Sequence, residues 1–130
     1  MTPVRPWLYI GDLSETQDAS LLRHVGLGAM LQLSRESPQE GIPHLFLPVE
    51  DGMPLSAEHL DAGVRYVLER RDEGRVVFVS CAQGVSRSAT FVTAALLRAE
   101  GLPLREAFAA VVGAHPVAMP HPALWQSLCA

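Results

Sequence analysis

The stretch Val76-Val77-Phe78-Val79-Ser80-Cys81-Ala82-Gln83-Gly84-Val85-Ser86-Arg87-Ser88-Ala89-Thr90 reads as a strand, a tight loop and a helix with nothing between them. Residues 76–79 are a continuous β-branched and aromatic run, the pattern of a central strand covered on both faces. From Arg87 to Glu100 the chain is Ala, Thr, Val and Leu on nearly every side and stops at Gly101, so this helix is expected to be central too. In open α/β sheets ligands bind beyond the carboxyl ends of strands, and a loop that opens a helix offers unpaired backbone N–H groups to an anion. The stretch therefore predicts both a layered α/β fold and an anion site at its turn.

Outward from that turn, short apolar runs alternate with helix-period segments, with no internal repeat and no linker. Upstream, strands are expected at residues 7–10, 29–33 and 45–49, the last bounded by Pro43 and Pro48, which limits its ladder. A helix capped by Ser14 or Thr16 runs to about His24, before Gly26 and Gly28. A second opens at Ser56, carries Leu60, Val64, Val67 and Leu68 on one face, and ends at Gly74. Downstream, helices are expected over residues 104–113 and 122–129. Leu124, Trp125 and Leu128 are spaced to dock the last one on the core. The expectation is one domain over residues 1–130: three layers, with a mainly parallel four- to five-stranded sheet flanked by helices on both faces.

Composition agrees. The chain has 130 residues with 48% hydrophobic and 18% charged, enough for one modest core and too short for two. All ten basic residues are Arg, against 14 acidic ones, and the net charge is −4. That balance argues against nucleic acid or an anionic membrane as partner. No apolar run approaches the roughly 18 residues of a bilayer span, and the first dozen residues lack a basic stretch followed by an apolar one. Only Cys81 and Cys129 are present, too few for a disulfide framework. A soluble, cytoplasmic, monomeric protein is expected.

The chemistry converges on Cys81. A thiolate is favoured by the partial positive charge at a helix N-terminus and by a nearby guanidinium, and Arg87 lies six residues on. If the loop curls into a cradle, the planar fork of Arg87 holds two oxygens of a phosphoryl group while loop amides take the others. Gly84 permits the positive φ that lets those amides converge. Ser88 is placed to hydrogen-bond the sulfur and to stabilise the thiolate when it leaves. Against this, ten Arg among 130 residues put an Arg six positions after a given Cys by chance roughly 8% of the time. A buried structural Cys is the commoner case. Gly84, Ser86 and Ser88, with a strand before and a helix after, tip the balance toward chemistry.

With these residues in view, the segment resembles the cysteine-dependent protein tyrosine phosphatases, most closely their small dual-specificity branch, whose signature often reads CxxGxSRS. Cys81-Ala82-Gln83-Gly84-Val85-Ser86-Arg87-Ser88 matches it, and Leu8-Tyr9-Ile10-Gly11-Asp12 looks like the family's opening strand. The resemblance implies a phosphatase in which Cys81 is the nucleophile and Ala82, Gln83, Gly84, Val85, Ser86 and Arg87 hold the phosphate. It implies no metal and no cofactor. In the family an Asp on an upstream loop protonates the leaving oxygen, and Leu47-Pro48-Val49-Glu50-Asp51-Gly52-Met53-Pro54 has the matching place, which makes Asp51 the general acid and Glu50 its rival. Two departures stand out. Ser80 replaces the His that usually precedes the nucleophile, so slower turnover is expected, and Pro120-His121 replaces the common Pro-Asn, read as a packing or capping change.

The five histidines, at positions 24, 44, 59, 115 and 121, show no HxxxH or HxH spacing, so no metal site is expected. Cys129 reads as an incidental terminal thiol. Since Ala82, Gln83 and Val85 add no positive charge, a phosphorylated protein is the expected substrate rather than a highly phosphorylated inositol lipid. The rivals are a catalytically weak phosphatase-like module that binds phosphopeptides, and another enzyme on a similar cradle, such as a sulfurtransferase or arsenate reductase, which has no need of Asp51.

Overall fold

The structure, a computed structural model, describes residues 1–129. Five strands form one sheet in the order β1-β2-β5-β3-β4: β1 (Thr2–Arg5), β2 (Leu8–Asp12), β3 (Leu27–Gln32), β4 (His44–Phe46) and β5 (Val76–Cys81). All neighbours are parallel except β1 and β2. β5 therefore lies in the middle, hydrogen-bonded on both edges, with Cys81 at its carboxyl end.

Side chains alternate along β5. Val77, Val79 and Cys81 join the larger core, and Phe78 joins Leu22, Leu27 and Met30 on the opposite face. That second face is covered by the short helix α1 (Ala19–His24). The first is covered by α2 (Ala57–Asp72), α3 (Arg87–Glu100), α4 (Leu104–Ala114) and α5 (Pro122–Cys129), giving the expected three layers. α3 is packed by the sheet, α2, α4 and α5, which explains its all-round burial from Ser88 to Leu96. Gly63 of α2 meets Phe91 with no room for a Cβ, which lets the two helices close up. Each large side chain taken wholly from water here contributes on the order of 1.5–3 kcal/mol.

Where the sequence reading and the structure differ, competing hydrogen bonds explain it. β1 is an additional strand: it sits on an edge, where Pro3 needs no N–H donor to the ladder. Neither Ser14 nor Thr16 caps α1. Both lie in a single 3-10 turn (Ser14–Gln17), where Thr16 donates its hydroxyl to Leu13 O and accepts from Ser37 Oγ, and Asp18 caps α1 by accepting from Leu21 N at 3.0 Å. The strand expected at 29–33 begins earlier, at Leu27, and β4 ends at Phe46. Single bonds nevertheless carry the pairing on past β4, from Leu47 N to Gln32 O and from Val49 N to Leu33 O, with Pro48 facing away between them. That extension delivers residues 49–51 to the carboxyl end of β5. Ser56 caps α2 as expected, accepting from His59 N at 3.1 Å.

Candidate active site

Five residues, 82–86, connect β5 to α3. The turn they make needs Gly84 twice over. Its φ is +67°, and a Cβ there would stand 2.7 Å from the backbone carbon of Gly11, so the loop rides directly on the end of β2. The loop is also held from outside by the segment joining α4 to α5. His115 Nε2 donates to Gly84 O at 2.7 Å, and Met119 N donates to Val85 O at 2.9 Å.

The turn encloses a cavity of about 220 Å³ lined by Asp51, Cys81, Ala82, Gln83, Val85, Ser86 and Arg87. Seven of the expected site residues thus meet at one opening, although Asp51 comes from a loop thirty residues upstream of Cys81. Cys81 is 2% exposed, so its sulfur forms the floor. The two remaining expected residues lie behind the wall. Gly84 is seated on β2, and the fully buried Ser88 has its Oγ 3.2 Å from Cys81 Sγ. Glu50 does not face this cavity; it lines a neighbouring one with Met53, Pro54 and His59.

Three hydrogen bonds join the walls. Ser86 Oγ donates to Asp51 Oδ1 at 2.7 Å and accepts from His121 N at 2.8 Å, while Arg87 Nη1 donates to Val49 O at 3.0 Å. Ser86, expected to hold phosphate, therefore lines the cavity with its hydroxyl already engaged by two other segments, and any anion contact falls to its backbone N–H. The same engagement leaves α3 without a side-chain cap, so the amides at its start stay open toward the cavity. Among the described residues Val49 O is the only hydrogen-bond partner of Arg87, which leaves the rest of its fork to an incoming group.

Beside the cavity, His121 caps α5: its carbonyl accepts from Leu124 N and Trp125 N, and its Nδ1 accepts from Ala123 N. Leu124 is wholly buried, and Trp125 stands edge-on to Phe108 with ring centres 5.0 Å apart, which docks α5 as its spacing implied. His115 was invisible to motif reading because its partners, Thr2 and Gly84, lie 113 and 31 residues away.

Residues 8–130 match the family described as "Dual specificity phosphatase, catalytic domain". Human dual specificity protein phosphatase 12 is 34% identical over 116 residues, covering 83% of this chain and 34% of that protein, so the chain spans about a third of that relative's length. Human dual specificity phosphatase 28 is 33% identical over 129 residues, covering 96% of this chain and 73% of its own. The crystal structure of a mouse putative dual specificity phosphatase complexed with zinc tungstate superposes with a TM-score of 0.91 at 32% identity, covering 98% of this chain and 83% of that one. With the family pattern matched from Leu8 onward and the fold shared end to end, this chain belongs to the dual specificity phosphatase catalytic-domain family.

Proposed function

We propose that the domain hydrolyses phosphomonoesters of phosphorylated proteins through a phosphocysteine intermediate. The observation that carries this reading is the meeting of Cys81, Arg87 and Asp51 on one small cavity walled by the loop amides. In the first step the Cys81 thiolate attacks phosphorus, the bond to the leaving oxygen breaks, and protonated Asp51 gives that oxygen its proton. Arg87 and the loop N–H groups stabilise the equatorial oxygens, where charge is spread in the transition state. In the second step Asp51, now a carboxylate, takes a proton from water as the water attacks phosphorus. The S–P bond breaks, inorganic phosphate leaves, and Ser88 Oγ stabilises the returning thiolate from 3.2 Å. Asp51 rather than Glu50 suits the acid role because it alone of the two lines the Cys81 cavity.

Arg87 is the sole cationic side chain on that cavity, which favours a singly phosphorylated residue over a highly phosphorylated ligand. The two free cysteines suit a reducing compartment, so a cytoplasmic setting and action as one catalytic domain complete the reading. The test is hydrolysis of p-nitrophenyl phosphate with a chelator present, comparing the native protein with Cys81→Ser and Arg87→Ala. Turnover that both substitutions abolish is expected. Tungstate binding without turnover by the native protein would contradict the enzyme reading and leave a phosphopeptide-binding module.

A further inference from the structure

The phosphate cradle is braced from outside by the chain between α4 and α5, and one side chain in that brace has no part in the chemistry above. His115 follows the last turn of α4 and precedes Pro116, which restricts it to extended backbone; its φ is −137° and its ψ 81°. The half-buried imidazole spans two elements. Nε2 is 2.7 Å from Gly84 O in the loop, and Nδ1 is 3.2 Å from Thr2 Oγ1 on β1. A carbonyl only accepts, so Nε2 carries a proton and donates it, while Nδ1 pairs with the Thr2 hydroxyl, which can serve as donor or acceptor. The ring is thereby fixed at both ends.

We infer that His115 is a positioning residue for phosphate binding, acting through the peptide bond between Gly84 and Val85. That bond is a planar trans unit, in which C=O and N–H point in opposite directions. Holding Gly84 O outward against the imidazole turns Val85 N–H inward, and Val85 lines the Cys81 cavity. The adjoining peptide is treated alike. Met119 N holds Val85 O at 2.9 Å, which turns Ser86 N–H the other way. Gly84 at φ +67° has wide torsional freedom, so without an external hold this peptide is the one in the loop freest to flip. A flip would present a carbonyl oxygen to a phosphoryl oxygen, replacing an attraction by a repulsion.

This inference rests on the phosphatase reading, and the experiment separates the two. Tungstate affinity by calorimetry and kcat with p-nitrophenyl phosphate are measured for the native protein, His115→Gln and His115→Asn. A Gln side chain puts its N–H₂ near the Nε2 position and reaches Gly84 O; an Asn amide stops near Nδ1 and reaches only Thr2. His115→Gln is expected to stay within about threefold of native in both readouts, while His115→Asn loses about tenfold in each, with thermal midpoints of the two variants alike. An Asn variant equal to native, or a Gln variant as impaired as Asn, would overturn the positioning role. A native protein that binds no tungstate and turns over no substrate would instead overturn the phosphatase reading, and the brace with it.

Discussion

Ser86 Oγ donates a hydrogen bond to Asp51 Oδ1 at 2.7 Å, joining the loop that follows Cys81 to the loop that carries the carboxylate. The same oxygen accepts from His121 N, so one buried hydroxyl ties together three chain segments. The aim of the Asp51 carboxylate is therefore set by the cradle itself and not by its own exposed loop.

Ser86→Ala is expected to leave Asp51 free to swing and His121 N without its partner. Losing a hydrogen bond that is only part-buried costs about 0.5–1.5 kcal/mol. Turnover should fall about tenfold for phenyl phosphate, whose leaving oxygen needs a proton, and less for p-nitrophenyl phosphate, whose leaving group does not. A leaving-group series on both proteins checks this; equal losses across the series would show that Ser86 does not aim the acid.

Gly84→Ala places a Cβ against the backbone of Gly11, at a φ of +67° that L side chains seldom adopt. Backbone on both sides cannot yield as a flexible side chain does. A loss on the order of 1–3 kcal/mol in denaturant unfolding, with much weaker tungstate binding, is expected. Native-like affinity would mean the turn tolerates a side chain that the structure has no space for.

The pairing of Arg5 with Glu100 ties the edge strand β1 to the end of α3 through two hydrogen bonds of 2.8 and 2.9 Å. Hydrogen bonding to Arg5 lowers the Glu100 carboxyl below its ordinary 4.5. A carboxyl lowered on folding contributes stability above its unfolded value and loses it as pH falls through the folded one. Both side chains are 31% exposed, so solvent screening keeps the pair to about 0.5–1 kcal/mol. Glu100→Gln should be less stable than native by that amount at about pH 7, with the gap closing as pH drops below 4.5 and through the lowered folded value. Urea unfolding of both proteins across that range decides it, and a gap independent of pH would contradict an ionic origin.

Much of this architecture was legible in the sequence because its signals are local. The Val76–Val79 run announces a central strand, the face shared by Val64 and Val67 announces an amphipathic helix, and the spacing from Cys81 to Arg87 puts thiol and guanidinium on one turn. What escaped depends on distant partners. Residues 2–5 form a strand only because β2 offers Pro3 an edge to occupy, and Thr16 leaves the cap to Asp18 because its hydroxyl is engaged by Leu13 O and Ser37. The resemblance put Asp51 ahead of Glu50, but no local signal announces the pairing of Val49 with Leu33 that extends β4 and leaves Asp51 on the Cys81 cavity and Glu50 on its neighbour. No spacing rule could have tied His115 to Gly84.

The phosphatase reading requires a covalent bond between Cys81 and the phosphoryl group. It is tested most directly by mixing the Asp51→Asn variant with p-nitrophenyl phosphate, quenching in acid and mapping the phosphoryl adduct by mass spectrometry. Because this leaving group needs little help from an acid while the second step lacks its base, the intermediate should accumulate on the peptide containing Cys81 and be absent from a protein that also carries Cys81→Ser. Turnover with the phosphoryl group found on another side chain, or turnover that survives Cys81→Ser, would contradict the account.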